Sequence, residues 1–257
     1  MWKITIDQAG YELKLENIPR RIISVVPSQT ELLYHLGLEE EVVGITKFCV
    51  HPEAWFRNKK RVGGTKTLDI DLIRELRPDL VIANKEENTK EDVLSLRAIC
   101  PVWTSDIHTI TEALAMIREV GGLVGKAAGA NLLASEVRSG FGQIRPFGLR
   151  SAYLIWKNPF MAAGGDTFIS DMMRAAGLEN VFTNKSRYPE MDLEDLRAAG
   201  IELLLLSSEP YPFKMKDIES LNEVLPQTRI VLADGEMFSW YGSRMREFPA
   251  YLDSMNW

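Results

Sequence analysis

Histidine and cysteine are scarce in this chain, with three and two copies among 257 residues. Cys49 and Cys100 stand apart rather than in a CxxC pair, so they supply neither a disulfide framework nor a paired thiolate site, and they leave the redox compartment open. Positive charge is short as well. With 30 Lys and Arg against 36 Asp and Glu the net charge is -6, which argues against nucleic acid or an anionic membrane surface as partner. No apolar run approaches the roughly 20 residues of a membrane span, so no membrane insertion is expected. The opening residues, Met1-Trp2-Lys3-Ile4-Thr5-Ile6-Asp7, alternate like a strand and lack the apolar run and cleavage site of a secretory leader. For the chain as written, that predicts a cytoplasmic location. What is present is a composition of 46% hydrophobic and 26% charged residues, suited to a sizeable core and to a small-molecule or protein partner.

The stretch from Thr109 to about Ile144 organises the rest. Thr109 and Glu112 have the spacing of a capping box, and Ile110, Leu114, Ile117, Val124, Ala128, Leu132, Val137, Phe141 and Ile144 recur at roughly helical spacing. One helix of that length spans about 50 Å at 1.5 Å per residue. Its weak point is the glycine group Gly121, Gly122, Gly125 and Gly129, each costing about 1 kcal/mol relative to Ala. On either side the chain alternates strand, loop and helix. Residues 2 to 15 alternate around Gly10 as a hairpin, Arg20 to Val26 reads as a buried strand, and Ser28-Gln29-Thr30-Glu31 reads as a second capping box before a helix that ends at Gly37. The grammar then repeats. Leu36-Gly37-Leu38-Glu39 matches Ala176-Gly177-Leu178-Glu179, and the helix-strand unit 70 to 83 matches 193 to 207. The expected fold is α/β, with two similar lobes carrying parallel sheets: an N-terminal lobe over 1–108, a linking helix over 109–145, and a C-terminal lobe over 146–257. A ligand cleft is expected between the lobes.

In α/β sheets, ligand loops follow the C-terminal ends of strands. That rule selects Phe48 and His51 after the strand at 42–46, Lys66 in Gly63-Gly64-Thr65-Lys66, and Glu86 after the strand at 79–83. In the second half it selects Trp156 and Phe160, then Glu209 and Tyr211 in the proline-stiffened Ser207-Ser208-Glu209-Pro210-Tyr211-Pro212-Phe213, with Tyr188 beside Pro189. The densest cluster is Asp234-Gly235-Glu236-Met237-Phe238-Ser239-Trp240-Tyr241-Gly242-Ser243-Arg244, where Phe238, Trp240 and Tyr241 offer flat faces suited to a macrocycle. Packing of the last helix is the alternative role for Phe238 and Trp240, and a simple turn is the alternative for Pro210 and Pro212. Lys47, Lys66, Lys85, Lys157 and Arg244 accompany these groups and suit a ligand with carboxylates or phosphates; ordinary surface lysine is the alternative for each. Asp166 reads as the N-cap of a helix from about Phe168, which occupies the donors a phosphate would need.

These segments resemble the cobalamin and ferric-chelate binding proteins of ABC importers, the helical-backbone class of periplasmic binding proteins. The resemblance is carried by Pro19-Arg20-Arg21-Ile22-Ile23-Ser24, Pro27-Ser28-Gln29-Thr30-Glu31-Leu32, Val42-Val43-Gly44-Ile45, Arg77-Pro78-Asp79-Leu80-Val81-Ile82-Ala83 and Gly177-Leu178-Glu179-Asn180-Val181-Phe182. It implies a ligand gripped between two lobes joined by one helix, little hinge motion, and binding without chemistry. It also implies docking on a permease through one exposed acid per lobe, at the positions of Asp71 and Glu194; complementing a helix dipole is the compatible alternative for both. Export is the family expectation, which the N-terminus as written does not match.

The leading expectation is therefore a solute-binding protein that captures a corrinoid or ferric chelate, with no catalytic residue, no protein-held metal and no resident cofactor. The competing expectation is a cytosolic metal- or cofactor-handling protein, or a metal-dependent enzyme, drawing on His51, Cys49, Glu86, Glu87, Glu209, Asp234 and Glu236. A purely structural module, with no saturable small ligand, is the third.

Overall fold

Short runs of Ile, Val and Leu, each bounded by a turn and followed by a helix, wind this chain as parallel α/β. The computed structural model describes residues 3–255, so Trp2 of the expected hairpin lies outside the described residues. The chain forms two compact units. The first comprises the residues up to Ile107 together with Thr111–Glu136 and Tyr241–Arg244; the second comprises His108–Ile110, Val137–Trp240 and the residues from Met245 onward.

In the first unit, an antiparallel hairpin (β1, Lys3–Ile6; β2, Glu12–Leu15) precedes β3 (Ile22–Ser24), β4 (Val42–Ile45), β5 (Lys60–Arg61), a small ribbon (β6, Gly63–Gly64; β7, Thr67–Leu68), β8 (Leu80–Asn84) and β9 (Val102–Ser105). The main sheet is parallel, in the order β5-β4-β3-β8-β9. Helices α1 (Pro27–His35), α2 (Glu53–Asn58), α3 (Ile70–Glu75) and α4 (Lys90–Arg97) connect the strands. Every residue of β3 and β8 is buried, as expected for strands covered on both faces. One core cluster joins Ile23, Val25, Val62, Ile73, Val81 and Leu96, each worth about 1.5–3 kcal/mol when removed from water. Helix α1 differs from expectation at its start. Its N-cap is Val26, without a side-chain cap, and Pro27 opens the first turn, because proline has the helical φ built in and no N–H to satisfy. Ser28 is therefore inside the helix and not its cap. The end follows expectation: Gly37, at φ +71°, donates to Tyr34 O (2.9 Å), and Leu38 N donates to Leu33 O (3.2 Å).

The stretch expected as one helix over 109–144 is two, α5 (Ile110–Leu123) and α6 (Ala127–Phe141). Helix α5 continues through Gly121 and Gly122. The break comes at Gly125, at φ +73°, where Lys126 N donates back to Gly121 O at 2.7 Å and closes a glycine-terminated helix end. A second constraint acts alongside: a Cβ added at Gly121 would lie 2.1 Å from the Ala130 Cβ, so the start of α6 packs against the end of α5. The break also resets the apolar stripe. Ala130, Leu133, Ala134 and Val137 are buried in α6, whereas Leu132, expected inside, is 61% exposed.

The second unit contains β10 (Leu149–Trp156), β11 (Phe160–Ala162), β12 (Leu178–Asn180), β13 (Glu190–Met191), β14 (Leu203–Ser207) and β15 (Arg229–Ala233), in the order β13-β11-β10-β14-β15 with β12 also beside β10. Strands β10, β12, β14 and β15 are parallel, but β11 runs antiparallel to both of its neighbours, so this sheet is mixed rather than purely parallel. Its helices are α7 (Phe168–Ala175), α8 (Leu193–Ala198), α9 (Met215–Val224), α10 (Gly235–Ser239) and α11 (Phe248–Ser254), with a 3-10 turn at Ser243–Glu247. Leu154, Phe182, Leu196, Leu204, Leu206 and Phe213 share its core. The N-cap of α7 is Thr167, whose hydroxyl accepts from Ser170 N, and not Asp166. Asp166 is one residue too early and instead accepts from Ser186 Oγ and Arg187 N, both at 2.5 Å.

The duplication extends to detail. Helices α3 and α8 have six residues each, both start from an aspartate N-cap (Asp69, Asp192), and both stop at a residue with positive φ (Arg77, Gly200) before an all-buried strand.

Candidate ligand-binding residues at the strand ends

In the first unit, the C-terminal strand ends rest on a hydrogen-bond network of asparagines and serines. Asn84, closing β8, uses its carbonyl to accept from Glu86 N (2.8 Å) and Glu87 N (3.0 Å), and its amide donates to Ser105 Oγ (2.9 Å). Asn88 accepts from Asn84 N (2.8 Å) and donates to Thr65 O (2.8 Å) and Val25 O (3.2 Å), tying three loops together. Neither asparagine was singled out from sequence, although Asn-x-x-x-Asn after an apolar strand is a turn-forming signal. The network fixes Glu86, half-buried, and the turn bearing exposed Lys66. Phe48 is 51% exposed, with Lys47 Nζ 5.2 Å from its ring centroid, and His51 is half-buried at the start of the next connection. Cys49 is fully buried between Thr30 Oγ1 (3.1 Å) and Thr46 Oγ1 (3.2 Å). Burial pushes its thiol above the ordinary range despite those contacts, so it is protonated at neutral pH and unsuited to nucleophilic work.

The aromatic cluster 234–244, expected to lie wholly in the C-terminal lobe, is divided between the units. Tyr241 to Arg244 pack with the first. The Tyr241 side chain is buried at 8% exposure, and its hydroxyl shares hydrogen bonds with Ser105 and Ser28; burial, with the Glu87 and Glu86 charges, raises the phenol well above its usual value. Gly242, at φ +125°, would bring a Cβ to 3.3 Å from Ser28 O, which lets the chain pass close over α1. Arg244 is engaged by a bidentate pair, Nε to Glu31 Oε2 at 2.9 Å and Nη2 to Glu31 Oε1 at 2.7 Å. Tyr241 and Arg244 are thus engaged in this unit's own structure, Tyr241 with Ser28 and Ser105 and Arg244 with Glu31.

In the second unit, Trp156 at the end of β10 is 39% exposed and meets Tyr211 edge-on at 5.7 Å, while Tyr211 meets Phe213 at 4.8 Å. Phe160 is half-buried and packs with Tyr211 against the core. Behind them, Lys157 pairs with buried Asp217 at 2.5 Å. Tyr188 is placed elsewhere: Ala162 N donates to Pro189 O (3.1 Å), which sets Tyr188 beside the end of β11 opposite Phe160. Phe238 is 0% exposed, packed between Tyr153 (5.0 Å), Phe248 (5.2 Å) and Tyr251 (6.3 Å). It is a core residue, and the helix-packing alternative describes it. Trp240 is 8% exposed and donates Nε1 to Glu209 Oε1 at 3.0 Å, which also accepts from Ser239 Oγ at 2.9 Å. Glu209 opens on a cavity of about 490 Å³ lined by Ser208, Glu209, Leu232, Ala233, Asp234 and Glu236. Burial raises its carboxyl above the usual range, the Ser239 bond opposes this, and the Glu236 charge adds to it. A Cβ at Gly235 would fall 2.4 Å from Glu209 Cγ, so the glycine makes room for this carboxylate. A further hollow of about 510 Å³, lined by Tyr11, Lys14, Arg97 and Cys100 among others, contains none of the expected site residues.

Asp71 and Glu194 hold the same place, second in α3 and in α8, and both are exposed. Among the described residues no three His, Cys, Asp or Glu side chains come together in a group able to hold a metal ion. No described helix is long and apolar enough to cross a membrane.

Two α/β units that present aromatic and charged loops beyond their parallel strands define a ligand-binding architecture. The sequence pattern of the family described as Periplasmic binding protein matches residues 22–228, and the chain belongs to that family. It is 21% identical over 238 residues to the vitamin B12-binding protein of Pectobacterium carotovorum, covering 89% of this chain and 85% of that one. Among solved structures, the periplasmic catecholate-siderophore binding protein of Vibrio cholerae superimposes with a TM-score of 0.82 at 14% identity, over 99% of this chain and 100% of that one. A periplasmic heme binding protein from Pseudomonas aeruginosa gives 0.78 at 20% identity, over 92% of each. At these identities the structural likeness establishes the fold.

Proposed function

We propose that this protein is the substrate-binding component of an ABC importer and captures a corrinoid or ferric chelate without transforming it. The observation that carries the ligand class is exposed Trp156 backed edge-on by half-buried Tyr211, an aromatic surface at a strand end where ligand loops belong. Absence of chemistry is supported by Cys49, the one cysteine at a strand end, being buried and protonated. The metal is cargo carried inside its chelate, not a resident cofactor. Docking on a permease is assigned to Asp71 and Glu194, because two matched helices each expose one carboxylate at the same position.

Titration with cyanocobalamin and with a ferric catecholate, followed by tryptophan fluorescence and melting temperature, tests the reading. Saturable binding of at least one, with the ligand recovered unchanged, is expected. Trp156→Ala is expected to weaken it by about tenfold, the effect of losing one stacked aromatic. Failure of both to bind, or recovery of a chemically altered ligand, would overturn the proposal.

A further inference from the structure

Lys47 and Lys66, which flank the β6–β7 ribbon at the strand ends of the first unit, make no ion pair among the described residues. Lys47 follows β4. Its backbone N–H donates to Gly63 O at 2.9 Å, and its side chain runs across the β6–β7 ribbon. A Cβ added at Gly64 would come within 3.3 Å of Lys47 Cε and 3.2 Å of the Phe48 ring, so the bare glycine backbone is what lets this pair lie on the ribbon. Lys66 is two residues further on, exposed, in the turn that Asn88 fixes through Thr65 O. The next lysine along the strand ends, Lys85, is different, being paired with Asp106 at 2.5 Å. The acids of the neighbouring loop, Glu86 and Glu87, are half-buried on the connection after β8 and have their N–H groups turned to Asn84; their charges act on the buried Tyr241 phenol.

Ring and ammonium are combined in one place. Phe48 presents an exposed face, and Lys47 Nζ stands 5.2 Å from the centre of that ring. A flat ligand set against the exposed part of the ring meets the Lys47 ammonium, and Lys66 stands on the turn of the ribbon over which Lys47 lies. A rim of carboxylates gains charge-assisted hydrogen bonds there, whereas a rim of carboxamides gains only neutral ones, which are about half as strong. We propose that Lys47, Lys66 and Phe48 form a specificity subsite selecting, among macrocyclic chelates, those with peripheral carboxylates over those with peripheral carboxamides. The proposal rests on the capture function above and adds to it the chemistry of the preferred ligand.

Iron coproporphyrin, with four carboxylates, and cyanocobalamin, with a carboxamide rim, separate the alternatives when titrated into the full chain at low and at physiological salt. The expected result is a preference for iron coproporphyrin of about tenfold or more, weakening as salt screens the ammonium groups. In K47Q/K66Q the preference is expected to collapse to within about threefold and lose its salt dependence, while K47R/K66R retains it. Phe48→Ala is expected to weaken both ligands, because it removes the shared face. Binding of cyanocobalamin alone, or a carboxylate preference that survives in K47Q/K66Q, overturns the subsite and leaves the capture function standing. A chain that binds neither macrocycle and no ferric catecholate overturns both.

Discussion

Arg21 and Arg150 clamp matching helix ends in their respective units, and Arg150 in addition pairs with Glu179 at 3.2 Å. The Arg21 guanidinium donates to Leu76 O and Arg77 O at the end of α3, and its own N–H donates to Asp79 at 2.9 Å. Arg150 donates to Ala199 O and Gly200 O at the end of α8, and its N–H donates to Glu202 at 2.8 Å. Each arginine therefore closes a helix end while pinning the residue that leads into the next strand, β8 or β14. This is duplication preserved at the level of single hydrogen bonds.

Replacing either arginine by alanine is expected to lower stability by about 1 kcal/mol, since these bonds are partly solvated. The two effects should add within about 0.5 kcal/mol, because no partner is common to both. Urea denaturation of the two single variants and the double variant checks this; a large coupling energy would contradict the independence of the two clamps.

The glycines of the linking region separate into two kinds. Gly121→Ala drives a methyl into Ala130 and is expected to cost about 1–3 kcal/mol by overpacking. Gly129→Ala, in α6 with its nearest neighbour atom at 3.7 Å, is expected to gain about 0.5–1 kcal/mol from helix propensity. Opposite signs in thermal denaturation are the outcome to look for.

Asp217 is buried, which disfavours its charge, yet Lys157 and the Lys214 N–H outweigh burial and lower its carboxyl below the usual range. A depressed folded value contributes stability above the unfolded value of about 3.9 and loses it as pH falls through the folded one. Lys157→Met should cost about 1–3 kcal/mol at pH 7 by leaving this carboxylate without its cation. Its deficit relative to the native chain should shrink below about pH 4; a constant deficit would show that the loss is packing alone.

Glu209 has the opposite sign. Its raised carboxyl favours the protonated form in the fold, so its contribution is full below the unfolded value of about 4.3 and declines as pH rises through the folded value. Glu209→Gln keeps an acceptor for Ser239 and Trp240 and removes the titration. The stability profile between about pH 4 and 7 should flatten in this variant, and an unchanged slope would exclude Glu209 as its source.

Much of the architecture was legible because it depends on local patterns. The apolar runs became β3, β8, β10 and β14, and Gly37 and Gly177 stop their helices at φ +71° and +70°. The linking helix was misread for a reason outside local pattern. A continuous apolar stripe and a modest glycine penalty both favour one rod, whereas the close approach of Gly121 to Ala130 is tertiary and leaves no periodic trace. Candidate site residues were located by the strand-end rule, which finds loops but not burial. It selected Phe48 and Trp156, which are exposed, together with Phe238, Tyr241 and Arg244, which face inward to Tyr153, Ser28 and Glu31. It passed over Asn84 and Asn88, whose role shows only in the bonds they make.

The assignment of Tyr241–Arg244 to the first unit bears on how the protein can be divided. Cutting the chain after the linking region yields an N-terminal fragment that contains every strand of the first unit but lacks the phenol that meets Ser28 and Ser105 and the guanidinium that neutralises Glu31. Such a fragment would expose a polar seam that the intact chain closes with residues 241–244. The N-terminal half therefore reaches its finished form only after residues 241–244 have been made, long after its own last strand.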